Sequence, residues 1–162
     1  MDVSETLSFS LPDLAATARL GAALASVARV GDVIALRGDL GAGKTELARA
    51  TIRAAVGDPD LIVPSPTFTL LETYDTPRGA WWHFDLYRLD APDQVYELGW
   101  EDALADAIAL VEWPERLGPL LPDDRLDLGL ETLPDQCRRA TLAGGNAWRE
   151  RLPAVAKAMA HG

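Results

Sequence analysis

The chain has 162 residues, 48% of them hydrophobic and 25% charged, which is enough for one domain with a real core and leaves no need for a second. Its formal net charge of −10 and sequence pI near 4.5 argue against direct binding to DNA or RNA, which depends on Lys and Arg displacing phosphate counterions; any RNA would be held by a partner. Cys137 is the single cysteine, so an internal disulfide is excluded, and no run is long and apolar enough to span a membrane.

The expected fold is a three-layer α/β P-loop arrangement, with a mixed, partly parallel sheet between helices, over a single domain of residues 1–162. Met1 to Ser10 lacks the basic start and long apolar centre of a signal peptide, which points to the cytosol, and Thr6 to Ser10 reads as a short strand. Leu11 to Ala28 reads as an amphipathic helix with Leu14, Ala18, Ala22 and Ala25 on its buried face. Asp32 to Arg37 is a short apolar strand, and Glu46 to Val56 a helix that stops at Gly57-Asp58-Pro59. Leu61 to Tyr74 and Ala80 to Leu89 read as strands of a hairpin about Asp75-Thr76-Pro77-Arg78-Gly79. Asp93 to Asp106 is a helix interrupted by Gly99, and Ala107 to Val111 a central strand ending at Glu112. Leu126, Leu128 and Leu130 form one strand of an antiparallel pair with the stretch from Cys137 to Leu142. Ala147 to Ala160 is a closing helix.

Between the second strand and its helix lies Gly38-Asp39-Leu40-Gly41-Ala42-Gly43-Lys44-Thr45, which fits G-x-x-x-x-G-K-[ST] at every fixed position. Glycines at 38, 41 and 43 allow a tight backbone turn that aims N–H groups inward, and the following helix N-terminus adds positive potential where phosphate oxygens sit. Lys44 is placed to reach the β- and γ-phosphates of a nucleoside triphosphate, and the Thr45 hydroxyl to ligate Mg²⁺. Of the 15 basic residues 13 are Arg, so a lysine at the one position that requires a compact ammonium is informative.

Three further stretches carry chemistry. Leu110-Val111-Glu112 has the form of a strand that delivers a carboxylate beside the P-loop, within reach of Mg²⁺ or its waters, although an acid can also merely end a strand. Pro64-Ser65-Pro66-Thr67-Phe68 stiffens a loop that bears the hydroxyls of Ser65 and Thr67; Thr67 could ligate Mg²⁺, or the loop could be an ordinary turn. In Trp81 to Arg88, strand alternation puts Trp81, His83, Asp85 and Tyr87 on one face, expected to be wet and ionisable. Asp85 is then a water-orienting carboxylate supported by His83, or the pair is a cross-strand decoration.

Taken in order, the P-loop, Ser65-Pro66-Thr67-Phe68, His83-Phe84-Asp85-Leu86-Tyr87-Arg88, Leu98-Gly99 and Val111-Glu112-Trp113-Pro114 resemble the TsaE (YjeE) family across about residues 30–125. The resemblance implies a small ATPase of bacterial tRNA N6-threonylcarbamoyladenosine synthesis that acts with TsaB and TsaD, meets tRNA through that complex, and leaves group transfer to TsaD. It implies Lys44 as phosphate ligand, Thr45 and Glu112 as Mg²⁺ ligands or their second shell, Thr67 as switch and Asp85 as catalytic carboxylate. Trp113 would lie by the adenine. Many relatives carry a second hydroxyl after Thr45; here Glu46 takes that place, suited to the helix dipole but near the α-phosphate.

Three other classes are weighed: a GTPase, a kinase, which is kept as the alternative, and a non-hydrolysing ATP-gated binding module, which Asp85 lying far from the γ-phosphate and hydrolysis unchanged in Asp85→Ala would favour. A GTPase of the usual kind reads guanine with Asn-Lys-x-Asp, and the chain's one asparagine, Asn146, precedes Ala147. A nucleotide or small-molecule kinase would begin with the same loop but calls for an arginine-rich lid, and Arg138-Arg139 is the only adjacent arginine pair. Arg88 is a guess for an arginine finger, so turnover by the isolated chain is expected to be slow.

Overall fold

A computed structural model describes residues 6–160; the first five residues, part of the stretch that argued against a leader, lie outside the described residues. Seven strands form one mixed sheet: β1 (Thr6–Leu11), β2 (Val33–Arg37), β3 (Leu71–Thr76), β4 (Gly79–Asp85), β5 (Ala107–Glu112), β6 (Leu126–Thr132) and β7 (Arg138–Gly144), in the order β1-β7-β6-β2-β5-β4-β3. The inner strands β6, β2, β5 and β4 run parallel, and antiparallel β7, β1 and β3 extend the two sides. The α/β fold expected from the sequence is present.

One face of the sheet is covered by α1 (Leu14–Val27), α2 (Lys44–Val56) and α5 (Leu152–Ala160). Leu20, Leu24, Leu47 and Ile52 of the helices pack there on Ile34, Ile108, Leu110 and Trp81. The other face, over β2, β5 and β4, is covered by α3 (Trp100–Asp106) and two 3₁₀ segments, Pro92–Leu98 and Pro114–Leu120. There Val33, Phe84, Ala109 and Val111 meet Trp100, Val95 and Leu117. All six residues of β5 are buried, as a parallel strand sandwiched between helical layers requires.

Helix α1 buries Ala16, Leu20, Ala23 and Leu24, not the face through Leu14, Ala18 and Ala22, which is exposed. Alanines lie all round this helix, so its hydrophobic period is weak and the two leucines decide its rotation. Asp13 caps its start, accepting from the Ala16 N–H at 2.9 Å. Gly21 lets α1 approach α2 closely, because a Cβ there would lie 2.8 Å from the Thr51 backbone nitrogen.

Four elements are shorter than their sequence patterns imply. The helix expected over Leu11–Ala28 is Leu14–Val27, because Leu11 pairs in β1 and Asp13 caps the helix. The strand expected from Leu61 begins at Leu71, since Pro64 and Pro66 have no N–H to donate and Leu70 adopts a left-handed φ of 68°. The next strand stops at Asp85 rather than Leu89, where the Leu89 N–H bonds to Leu86 O at 3.0 Å and closes a turn. The closing helix is two pieces, α4 (Asn146–Arg149) and α5. Between them the Arg151 guanidinium grips the buried Asp32 carboxylate at 2.6 and 2.9 Å, tying the C-terminal segment to the start of β2.

Candidate active site

The loop from Gly38 to Gly43 joins β2 to α2, with Gly43 at φ 101° as the residue preceding the first helical turn. Lys44 is 5% exposed; its ammonium donates to Gly38 O and lies 3.5 Å from the centroid of the Trp113 ring. Burial lowers the Lys44 pKa from its ordinary 10.5, while Glu112, Glu115, Asp85 and Asp39 act in the opposite direction.

Strand pairing places Asp85 directly opposite Glu112 at the C-terminal ends of β4 and β5, and Glu112 opposite Leu36 at the end of the P-loop strand. Ligands of open α/β sheets bind at this edge. Thr45 Oγ1 donates to Glu112 Oε1 at 2.8 Å, and His83 Nε2 donates to Glu112 Oε2 at 2.7 Å. Glu112 is thereby held by both oxygens. His83 thus supports Glu112, not Asp85 as the sequence reading had it. Nor is its face of β4 wet: α1 and α2 cover it, leaving Trp81, His83 and Asp85 buried, with Tyr87 exposed beyond the strand end.

A second hydrogen-bonded chain runs through the proline-stiffened loop. Ser65 and Thr67 share a hydroxyl–hydroxyl bond of 2.7 Å, and Thr67 Oγ1 reaches Asp85 Oδ2 at 3.5 Å. Asp85 Oδ1 accepts from the Tyr87 N–H at 3.1 Å. Burial is the main cause that raises the Asp85 pKa above its ordinary 3.8; Glu112 pushes the same way, and the Tyr87 bond opposes.

These groups line a cavity of about 300 Å³ above the P-loop, which holds Lys44, Thr45, Thr67, Asp85, Glu112 and Trp113 together. A larger groove of about 540 Å³ runs between α1 and α2, but Glu46 is the one acid in its lining and no P-loop glycine borders it. The Thr45 hydroxyl and Glu112 carboxylate supply two adjacent oxygens suited to a hard cation such as Mg²⁺, which takes few protein ligands and completes its shell from phosphate and water. No cluster of three or more His, Cys, Asp or Glu side chains among the described residues could hold a metal ion.

The remaining sequence candidates divide. Leu40 is 74% exposed at the loop tip, and Asp39 flanks the loop on the side of β6. Ala42 is packed into the core. The Glu46 carboxylate pairs with Arg49 one turn along α2 at 2.8 Å. Trp113, at φ 60°, lies over Lys44 and 4.9 Å from Tyr87 by ring centroids and lines the same cavity. Arg88 lies 4.5 Å from the Phe68 ring centroid and outside the cavity lining.

The sequence reading missed Arg138 as a site residue. At the first position of β7, it reaches back over the P-loop and donates from Nη2 to Gly41 O at 3.2 Å. The signal was the antiparallel pair itself, whose turn returns the chain beside the loop, but the strand order needed to see this is not written in any local pattern.

The model of the threonylcarbamoyl adenosine biosynthesis protein TsaE family matches residues 11–140. A tRNA threonylcarbamoyladenosine biosynthesis protein TsaE from Rickettsia bellii is 41% identical over 122 residues, covering 75% of this chain and 84% of that protein. The protein of the same name from Synechocystis is 43% identical, covering 72% and 75%, and that from Nostoc is 34% identical, covering 90% and 91%. Among solved structures, Bacillus subtilis YdiB superposes with a TM-score of 0.80 at 25% identity, covering 97% of this chain and 98% of that one.

Proposed function

This chain belongs to the TsaE family of threonylcarbamoyl adenosine biosynthesis proteins, and we propose that within that biosynthesis it is the Mg²⁺-dependent ATPase. The observation that carries the reading is the placement of two carboxylates, Asp85 and Glu112, side by side at strand ends above a P-loop with a buried lysine. Cradle, cation ligands and water-orienting acid thus lie in one cavity.

Each group has a part. Backbone N–H groups of the loop and the Lys44 ammonium bind the phosphates and offset the charge that develops on the transferred group. Thr45 and Glu112 hold Mg²⁺, which when bound neutralises phosphate charge. His83 fixes the Glu112 carboxylate through Oε2 and leaves Oε1 toward Thr45. Asp85, kept partly basic by its burial, orients the attacking water and accepts its proton. Thr67, hydrogen-bonded to Ser65 and near Asp85, ties the state of its loop to the terminal phosphate.

The reaction serves an assembly in the cytosol: ATP binding favours association with TsaB and TsaD, hydrolysis permits repeated turnover, and tRNA is met through that complex. The test is ATP hydrolysis by the purified chain, alone and with TsaB and TsaD, beside tRNA threonylcarbamoylation by the same mixtures. Partner-stimulated hydrolysis and modification that cycles only with this chain and ATP are expected. Hydrolysis indifferent to those proteins, with modification equally fast without this chain, would overturn the reading.

A further inference from the structure

Helix α2 begins at the P-loop and ends at Val56, after which the chain turns at Gly57-Asp58-Pro59 and comes back along the helix. Two arginines of α2 mark that return. Arg53 Nε donates to Leu61 O at 2.9 Å, and Arg49 Nε donates to Val63 O at 2.9 Å. Helix residues fall from 53 to 49 as loop residues rise from 61 to 63, so the loop runs antiparallel to α2, toward the cavity. The spacings match: four helical residues advance about 6 Å and keep to one face, and two residues of extended chain advance about 7 Å and turn their carbonyls the same way.

Residues 57–70 form no helix or strand, and Pro64 and Pro66 have no N–H with which to anchor the segment. It is held instead by Val63, buried in the core at the point where Arg49 takes its carbonyl, and by the two arginines. Directly beyond lie the hydroxyls of Ser65 and Thr67, the second of which lines the cavity and reaches Asp85. Arg49 has another partner as well. Its Nη1 donates to Glu46 Oε1 at 2.8 Å, and Glu46 lines the same cavity one residue after Thr45. A guanidinium serves carbonyl and carboxylate at once because its donors point in different directions. One side chain thus joins the wall of the cavity to the loop that bears Thr67.

We propose that Arg49, with Arg53 behind it, is a positioning residue for hydrolysis: the pair fixes the register of residues 61–67 against α2 and so sets where the Thr67 hydroxyl stands relative to Asp85 and the terminal phosphate. The assignment rests on the ATPase reading above. Both bonds end on backbone carbonyls, so the register is dictated by the helix and its arginines. A slip of the loop by part of a residue moves Thr67 by about 1 Å, a displacement that can lower a rate by about 10²-fold. The P-loop and Lys44, which cradle the inner phosphates, precede both arginines in the chain, so binding of a diphosphate does not call on the loop.

Single-turnover hydrolysis of ATP by the full chain with Mg²⁺, beside calorimetric titration with ADP, tests this in Arg49→Ala, Arg53→Ala, Thr67→Ala and the two double variants. Each arginine variant is expected to lower the rate roughly tenfold and to leave ADP affinity within about twofold of the unaltered chain. In the Thr67→Ala background neither should lower the rate further by more than about twofold, because the hydroxyl they position is gone. Where Arg49→Ala unfolds, Arg53→Ala, which leaves Arg49 on Glu46, decides. Losses that multiply with that of Thr67→Ala, or ADP affinity that falls as far as the rate, would make the arginines supports of α2 alone and overturn the proposal. An unchanged rate in both would overturn it too, leaving the ATPase reading intact. An unaltered chain that binds ADP yet hydrolyses no ATP, alone or with the partners named above, would overturn that reading and the positioning role with it.

Discussion

Asp85→Asn should make the protein more stable and nearly abolish the proposed ATP hydrolysis. Asp85 is 6% exposed, and its two oxygens receive only the Tyr87 N–H at 3.1 Å and a long contact with Thr67 at 3.5 Å. An asparagine keeps the acceptor for Tyr87, and its amide can donate to the Thr67 oxygen, so the hydrogen bonds survive while a buried charge next to Glu112 disappears. Gains of this kind are about 1 kcal/mol, or about 2–4 °C in midpoint for a chain of this size. The pH dependence gives a second handle. Because the folded-state pKa lies above the ordinary 3.8, the folded protein holds the proton more tightly than the unfolded chain does. The cost of burying the charge is therefore full above the folded-state pKa, shrinks as pH falls through it, and is gone below 3.8. Calorimetric unfolding of both forms, free of nucleotide and metal, should show the widest gap at neutral pH and convergence toward pH 3.8. Single-turnover phosphate release should fall by about 10²–10⁴-fold, the scale of a lost general base. A variant that hydrolyses ATP within twofold of the original would remove Asp85 from the mechanism, and a lower midpoint at neutral pH would refute the burial argument.

Lys44→Ala should weaken ATP by about 10- to 150-fold, since a hydrogen bond to a charged group contributes about 1.5–3 kcal/mol; unchanged affinity in a titration would remove the phosphate role. Since burial lowers the Lys44 pKa, the folded state disfavours its charged form, and the unaltered protein gains stability as pH rises through that lowered value toward 10.5; unfolding curves of Lys44→Met should lack this gain. Asp32→Ala leaves the buried Arg151 guanidinium without its carboxylate and should cost about 3–5 kcal/mol in urea unfolding; a loss under about 1 kcal/mol would show that the ion pair does not anchor the C-terminal segment.

The P-loop, the carboxylate strand and the hairpin were legible because each is written in consecutive residues: glycine spacing, an apolar run ending in an acid, and a turn rich in Pro and Gly. The partners of His83 were not. Its bond to Glu112 depends on β4 lying beside β5 in parallel with His83 opposite Leu110, which brings a residue 29 positions away onto the same face. The dryness of that face was hidden for the same reason, since alternation along β4 separates the faces but does not say that α1 and α2 cover one of them. Proline chemistry could have shortened the strand expected from Leu61, and was outweighed there by the apolar and threonine content of the stretch.

The same neighbourhood relations bear on how, under the ATPase proposal, a chain of net charge −10 would hold a polyanion. Lys44 bonds to Gly38 O and lies under Trp113, and Thr45 bonds to Glu112. Phosphate and cation therefore do not fill open valences; they exchange with bonds that already exist, and the net gain is smaller than the contacts alone would give. Exchange has a structural consequence as well. Glu112 cannot turn from Thr45 toward a cation without loading the His83 bond, and Lys44 cannot reach phosphate without leaving Trp113, which packs against Tyr87 at the end of the Asp85 segment. Nucleotide binding thus bears on β4, β5 and the Ser65–Thr67 loop together.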